Sequence, residues 1–147
     1  MSLEDKFEEF LYSESNCKDG KCKIDNRNIK IVFKPDKGLK KNIDLSSNNK
    51  CDCIVICRDD KVRIIEILCG VLRGSEFKAK CLQIENCLQI IKYINKDSLQ
   101  DCKVYLLIEK YVSSKKEPQT KKLVNSKKVM GKPIIVMEKD RSDLKIC

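Results

Sequence analysis

Cys51-Asp52-Cys53-Ile54-Val55-Ile56-Cys57, a polar turn at Arg58-Asp59-Asp60, and Lys61-Val62-Arg63-Ile64-Ile65-Glu66-Ile67-Leu68-Cys69-Gly70 are the part of this chain that most restricts its fold. The first run is short and apolar and the second is rich in β-branched residues, so the pair predicts two buried strands joined as a hairpin by the Asp-Asp turn. Asp52 and Glu66 are the only acids within the two runs. Burying a carboxylate on an apolar strand costs on the order of several kcal/mol unless it is paired, hydrogen-bonded or bound to a cation. Side chains alternate across a strand, which places Asp52, Ile54 and Ile56 on one face and Ile64, Glu66 and Leu68 on one face of the partner. A register that joins the two acids makes a pair of hard oxygen ligands of the kind that holds Mg²⁺ or Mn²⁺. The competing structural reading leaves one acid in a turn network and pairs the other with a lysine.

The rest of the chain supplies elements around this hairpin. Leu3, Phe7, Phe10 and Leu11 form an apolar stripe on an acidic background and predict a short amphipathic helix over residues 3–12. Ser13 to Gly20 reads as polar loop, Ile29 to Phe33 as a strand, and Pro35-Asp36-Lys37-Gly38 as a turn. Ser46-Ser47-Asn48-Asn49 reads as a flexible approach to the Asp52 strand. A helix is expected from Ser75, its N-cap, to about Ile94, where Asn95-Lys96-Asp97 closes it. Residues 102–108 and 133–137 read as further strands, and the polar tail to Cys147 as loosely held. The expected architecture is α/β: one domain over residues 1–147, its core at about 29–137, with a central mixed sheet flanked by helices.

Asn49-Lys50-Cys51-Asp52, the hairpin, Ile64-Ile65-Glu66-Ile67-Leu68-Cys69-Gly70 and a following helix carrying Gln83-Ile84-Glu85 together resemble the core of the PD-(D/E)xK nuclease superfamily. The resemblance spans roughly Ile29 to Ile108 and implies a restriction-endonuclease-like, or archaeal Holliday-junction-resolvase-like, fold. It implies that Asp52, Glu66 and the backbone carbonyl of Ile67 bind Mg²⁺ or Mn²⁺, that Gln83 positions substrate or water, and that the protein forms a homodimer as many members do. Where the family places its lysine, this chain has Leu68, and leucine can neither orient a water nor neutralise charge on a phosphate. In some branches the lysine comes from the next helix. Lys78 and Lys80 lie near its start, and Lys80 is the better placed, because Glu76, Lys80, Gln83 and Cys87 share a helical face. Two functional readings follow: a metal-dependent nuclease acting on phosphodiesters, or a catalytically inactive nuclease fold used for nucleic-acid binding or protein interaction.

Charge bears on the partner. The formal net charge is +9, which favours a polyanion, nucleic acid or an acidic membrane surface; beside the nuclease resemblance the expected partner is nucleic acid, DNA ahead of RNA. From Ser113 to Lys132 the chain carries Lys115, Lys116, Lys121, Lys122, Lys127, Lys128 and Lys132 against one acid, Glu117. These lysines read either as a phosphate-backbone track or as a solvated face. No run is long and apolar enough to span a membrane, and the acidic N-terminus suits neither a secretory signal nor a transit peptide, so a cytoplasmic location is expected. Ten cysteines occur with no histidine and no Cys-x-x-Cys pair, which argues against a zinc ribbon. Cys51, Cys53 and Cys57 are expected on the strand face opposite Asp52, and Cys81 on an apolar stripe with Phe77, Ile84, Leu88 and Ile91, as small core residues. Disulfides are expected only for a thermophilic source, with Cys17–Cys22 as the first pair to test.

Overall fold

The computed structural model describes residues 1–19, 22–44, 49–139 and 145–147. Its elements are, in chain order, α1 (Leu3–Glu8), β1 (Ser13–Glu14), β2 (Lys18–Asp19), β3 (Cys22–Lys23), β4 (Ile29–Phe33), β5 (Cys53–Cys57), β6 (Val62–Leu72), α2 (Gly74–Ile94), β7 (Lys103–Tyr111), α3 (Thr120–Ser126), β8 (Lys128–Val129) and β9 (Lys132–Glu138). Seven strands form one mixed sheet in the order β1-β4-β5-β6-β7-β9-β8, and β2 pairs with β3 separately. Strands β4, β5 and β6 are antiparallel neighbours, β5 and β6 joined by the short turn and β4 and β5 by the longer connection over residues 34–52. The α2 and α3 crossovers make β6, β7 and β9 parallel, since a parallel neighbour needs a connection long enough to return to the same end of the sheet. The expected α/β architecture with a central mixed sheet is therefore present.

The predicted hairpin closes at Asp59-Asp60, where Asp60 adopts φ 67° and its N–H donates to the Cys57 carbonyl at 2.9 Å. Ile54, Ile56, Ile64, Leu106 and Ile108 face α2, whose Phe77, Ile84, Leu88 and Ile91 cover them. Cys81 lies in that stripe as expected. The opposite face buries Val55, Ile65, Ile67, Tyr105 and Leu107 under Cys17, Cys22, Ile24 and Ile146. Both faces of the central strands are thus dry, which is why these strands read as continuous apolar runs. Among the described residues, no helix is long and apolar enough to cross a membrane.

Several boundaries differ from expectation. Helix α1 stops at Glu8, because the next residues turn to sheet-like bonding: Leu11 bridges Leu39, and the Phe10 and Tyr12 carbonyls accept from Lys40 and Lys34. Helix α2 is capped at Arg73, with no side-chain cap of its own, and Ser75 lies inside it. Its first N–H, that of Gly74, donates instead to Glu117 Oε1 at 3.1 Å. The segment from Ser13 contains β1 and β2 rather than loop alone; Gly20 and the approach residues Ser46 to Asn48 fall outside the described residues. The chain end is not loose, for Ile146 is buried and its carbonyl accepts from Arg63 Nε at 3.0 Å.

Eight cysteines pair as Cys17–Cys53, Cys22–Cys69, Cys51–Cys87 and Cys57–Cys147. The expected Cys17–Cys22 pair is not formed: Cys22 Cα lies 5.7 Å from Cys69 Cα, within bonding reach once the β2–β3 hairpin folds back over β6. Cys51 is also not on the Cys53 face. It precedes β5, where strand alternation does not apply, and packs with Ile54 and Ile56 on the α2 side.

Candidate functional site

Strand pairing brings the two acids together. Cys53 is opposite Ile65 and Ile54 opposite Ile64, and one further step in that register sets Asp52 against Glu66. Asp52 lies just before β5, so its side chain substitutes for the missing backbone partner: Oδ2 accepts from the Ile67 N–H at 2.7 Å. Disulfides hold the position from both sides, with Cys51 bonded to Cys87 on α2 and Cys53 to Cys17. Asn86 on α2 adds a side-chain donor to the Asn49 carbonyl. The acid-bearing strand is therefore fastened to the helix one turn beyond Gln83.

Glu66 is 1% exposed. Burial first, and then the hydrogen bond to Asp52 and the Asp52 charge, push its carboxyl up to about 9, against smaller opposing contributions from Lys80 and the Ile67 backbone. At neutral pH Glu66 therefore carries a proton. Lys80 Nζ stands 3.6 Å from Glu66 Oε1, but with the acid neutral this is a contact between a charge and a dipole, too weak to offset desolvation. The same ammonium donates to the Ile67 carbonyl at 3.4 Å.

Among the described residues no donor is aimed at the buried Glu66 Oε2 or Gln83 Oε1, and the side-chain hydrogen bond of the Glu66 carboxyl is with the acid Asp52. Buried acceptors without donors are rare and costly, and these two belong to residues whose placement the sequence had already linked. Two facing carboxyl groups are relieved by a shared proton or a shared cation. Asp52, Glu66 and the Ile67 carbonyl form an all-oxygen donor set that fits Mg²⁺ or Mn²⁺. Among the described residues no group of three or more His, Cys, Asp or Glu side chains gathers, so a third protein ligand would have to be that carbonyl, which has two lone pairs and can also accept from Lys80.

Not every candidate residue joins this cluster. Helical geometry puts Lys78 nearly half a turn round α2 from Lys80, and it lines a groove with Lys127 and Lys128. Lys115, Lys116, Lys121 and Lys122 are exposed on the loop before α3 and on α3 itself, with Lys121 5.1 Å above the Tyr111 ring. The structure thus gathers Asp52, Glu66, Ile67 and Lys80 on one flank of α2, and sets Lys78, Lys127 and Lys128 on the other.

Lys34 and Asp36 were not singled out by the sequence. Lys34 is 5% exposed, and its Nζ lies 3.7 Å from Asp36 Oδ2 and 3.8 Å from Cys53 Sγ. Asp36 is raised above the ordinary carboxylate range, by burial first; Lys34 pulls it down and Asp52 pushes it up. The pairing of Phe33 with Ile54 carries Lys34 to Cys53 and brings the following turn beside Asp52. The only available signal was that Lys34 directly follows an apolar strand, which reads equally as a strand-end charge. Comparison with models of protein families, with curated proteins and with solved structures finds no match for this chain.

Proposed function

We propose that this protein is a metal-dependent nuclease-like protein acting on nucleic-acid phosphodiesters, with a PD-(D/E)xK-type site whose lysine comes from the helix. The observation that carries the reading is the position of Lys80. Its ammonium lies beside the Glu66 carboxyl group and the Ile67 carbonyl, next to the place where Leu68 leaves the family pattern without a cation. The order α1, β4, β5, β6, α2, β7, with β6 parallel to β7, also agrees with the helix-flanked mixed sheet that the resemblance implies.

In this reading Asp52, Glu66 and the Ile67 carbonyl hold Mg²⁺ or Mn²⁺. When bound, the cation supplies Lewis-acid activation of water and neutralises phosphate charge. To hold a cation Glu66 would act as its carboxylate, its proton passing to solvent. Lys80 orients the attacking water and offsets charge developing on the phosphate. The unpaired Gln83 carbonyl accepts from that water or from a substrate hydroxyl. The exposed lysines 115, 116, 121, 122, 127 and 128 track the backbone of the nucleic acid, DNA ahead of RNA, and a homodimer belongs to the same proposal. Four disulfides agree with a non-reducing compartment, so a cytoplasmic location is kept in the proposal only for a thermophilic source.

The test is cleavage of mixed DNA and RNA substrates with Mg²⁺ or Mn²⁺ by wild type, Asp52→Ala, Glu66→Ala and Lys80→Ala. Loss of cleavage in both acid variants, with a fall of about 10²-fold or more in Lys80→Ala, supports the site. Leu68 favours the second reading, a nuclease fold used only for binding. Its signature is nucleic-acid affinity with no cleavage by wild type under any of these conditions.

A further inference from the structure

The far flank of α2 carries a groove of about 340 Å³ between the helix and the α3–β8 segment. Its floor is apolar and open: Leu82 is 59% exposed and Met130 39%, two of the few large hydrophobic side chains among the described residues that face solvent. Met130 is held there by an unusual backbone. Val129 pairs with Lys132, so Met130 and Gly131 form a two-residue hairpin loop, with φ 49° and 78°. Such a loop favours Asn-Gly, and an unbranched but bulky methionine in the left-handed region is disfavoured. A residue that weakens its own turn while exposing a thioether over an apolar floor is explained by contact with something else.

Charge identifies the occupant. Lys78, Lys127 and Lys128 stand on the rim against the single acid Glu85. A nucleic acid would meet the lysines through its phosphates but would leave the apolar Leu82 and Met130 uncovered. A second copy of this chain offers no match: the acidic α1 packs Phe7 into the core, and Glu4 and Glu9 already pair with Lys30 and Lys41. We propose that this groove docks an acidic amphipathic helix of a partner protein, with its apolar residues on Leu82, Leu123 and Met130 and its carboxylates on the three lysines. The inference does not depend on the acid pair, which lies on the opposite flank of α2, but it shares Lys127 and Lys128 with the proposed nucleic-acid track, so helix and nucleic acid would compete for these two lysines.

The experiment is fluorescence anisotropy with a labelled synthetic helical peptide carrying Leu at i, i+4 and i+7 and Glu elsewhere, beside a scrambled peptide and a duplex oligonucleotide. Leu82→Asp and Met130→Asn are compared with wild type. Each variant should weaken the peptide by about tenfold or more. Met130→Asn should at the same time raise the melting temperature, because asparagine tolerates the turn better. Equal binding of the scrambled peptide, unchanged affinity in both variants, or no saturable peptide binding would overturn the proposal. So would a result in which Met130→Asn weakens only the oligonucleotide, which would make the groove a nucleic-acid surface.

Discussion

The two flanks of α2 are built by opposite means. Toward β5, Glu66 is buried and Asp52 half-buried, Asp52 is fixed by the Ile67 N–H, and Cys51–Cys87 and Cys17–Cys53 lie immediately on either side of it, with Cys22–Cys69 three residues beyond Glu66. Toward β8, the segment carrying the seven lysines has no cysteine, and the nearest thiol, Cys81, is free. That segment is tied to α2 by its only acid, Glu117, which accepts from the Gly74 N–H and the Thr120 hydroxyl, each at 3.1 Å. Two facing carboxyl groups gain nothing from proximity unless their geometry is fixed, so their flank needs covalent ties. Exposed lysines act through a field that extends about 8–10 Å at ordinary salt and tolerate a mobile frame.

The largest effect should come from cutting a tie on the acid flank. Replacing Cys51 and Cys87 together by Ser should lower the unfolding free energy by about 3 kcal/mol, whereas Cys81→Ala, which leaves every bond intact, should cost about 1 kcal/mol or less. Guanidinium unfolding of the two variants checks this, and equal losses would break the distinction between the flanks.

Next in size is the pH response of Glu66. Its folded value of about 9 lies above the ordinary 4.5, so between those limits the native state holds a proton that the unfolded chain has released. Stability should therefore fall as pH rises through this window, by at most about 1.4 kcal/mol per pH unit, and level off above it. Glu66→Gln should flatten the slope. At pH 8, Mn²⁺ should raise the melting temperature of wild type and leave Glu66→Gln unmoved; a rise in both would place the cation elsewhere.

A smaller change is expected from Glu117→Ala. Its carboxyl is held below the usual range, by the Gly74 N–H first, so the tie is in force above the ordinary carboxylate pKa and lost as pH falls through the depressed one. The variant should melt slightly earlier than wild type at pH 7 and together with it at acid pH. Least affected in stability should be Lys121, Lys122, Lys127 and Lys128 changed together to Ala, a surface change within about 0.5 kcal/mol per site. Its effect should appear in DNA binding, where the log–log salt slope should fall by about 0.9 for each lysine that neutralises a phosphate. An unchanged slope would make the lysines a solvated face.

The hairpin, the α2 stripe and the existence of strand β7 were legible because each rests on local periodicity: alternation for Ile54, Ile56 and Ile64, helical spacing for Phe77, Cys81, Ile84 and Leu88. The facing of Asp52 and Glu66 was legible only as one of two outcomes, because the residues alone left the hairpin register open and the strand pairing decides it. Lys80 was legible as a member of one helical face. The disulfide partners were not, because Cys22 meets Cys69 only after a separate hairpin folds across β6, and no local pattern encodes that meeting. Lys34 was hidden likewise: a lysine after a strand gives no sign that the neighbouring strand will enclose it. The cap of α2 lies 43 residues away at Glu117, beyond any sequence window.

The cysteine connectivity governs how the chain can be made. The bonds span 36, 47, 36 and 90 residues, and the loop closed by Cys17–Cys53 interlocks with the one closed by Cys22–Cys69. A nascent chain exposed early to an oxidant meets its wrong partners first, Cys22 beside Cys17 and Cys53 beside Cys51, while Cys57 waits for Cys147. Escape from those local pairs runs through thiolate exchange, which takes seconds to hours without an isomerase. Producing this protein is therefore a matter of sequence in time: the reduced chain must build its sheet before the oxidant arrives.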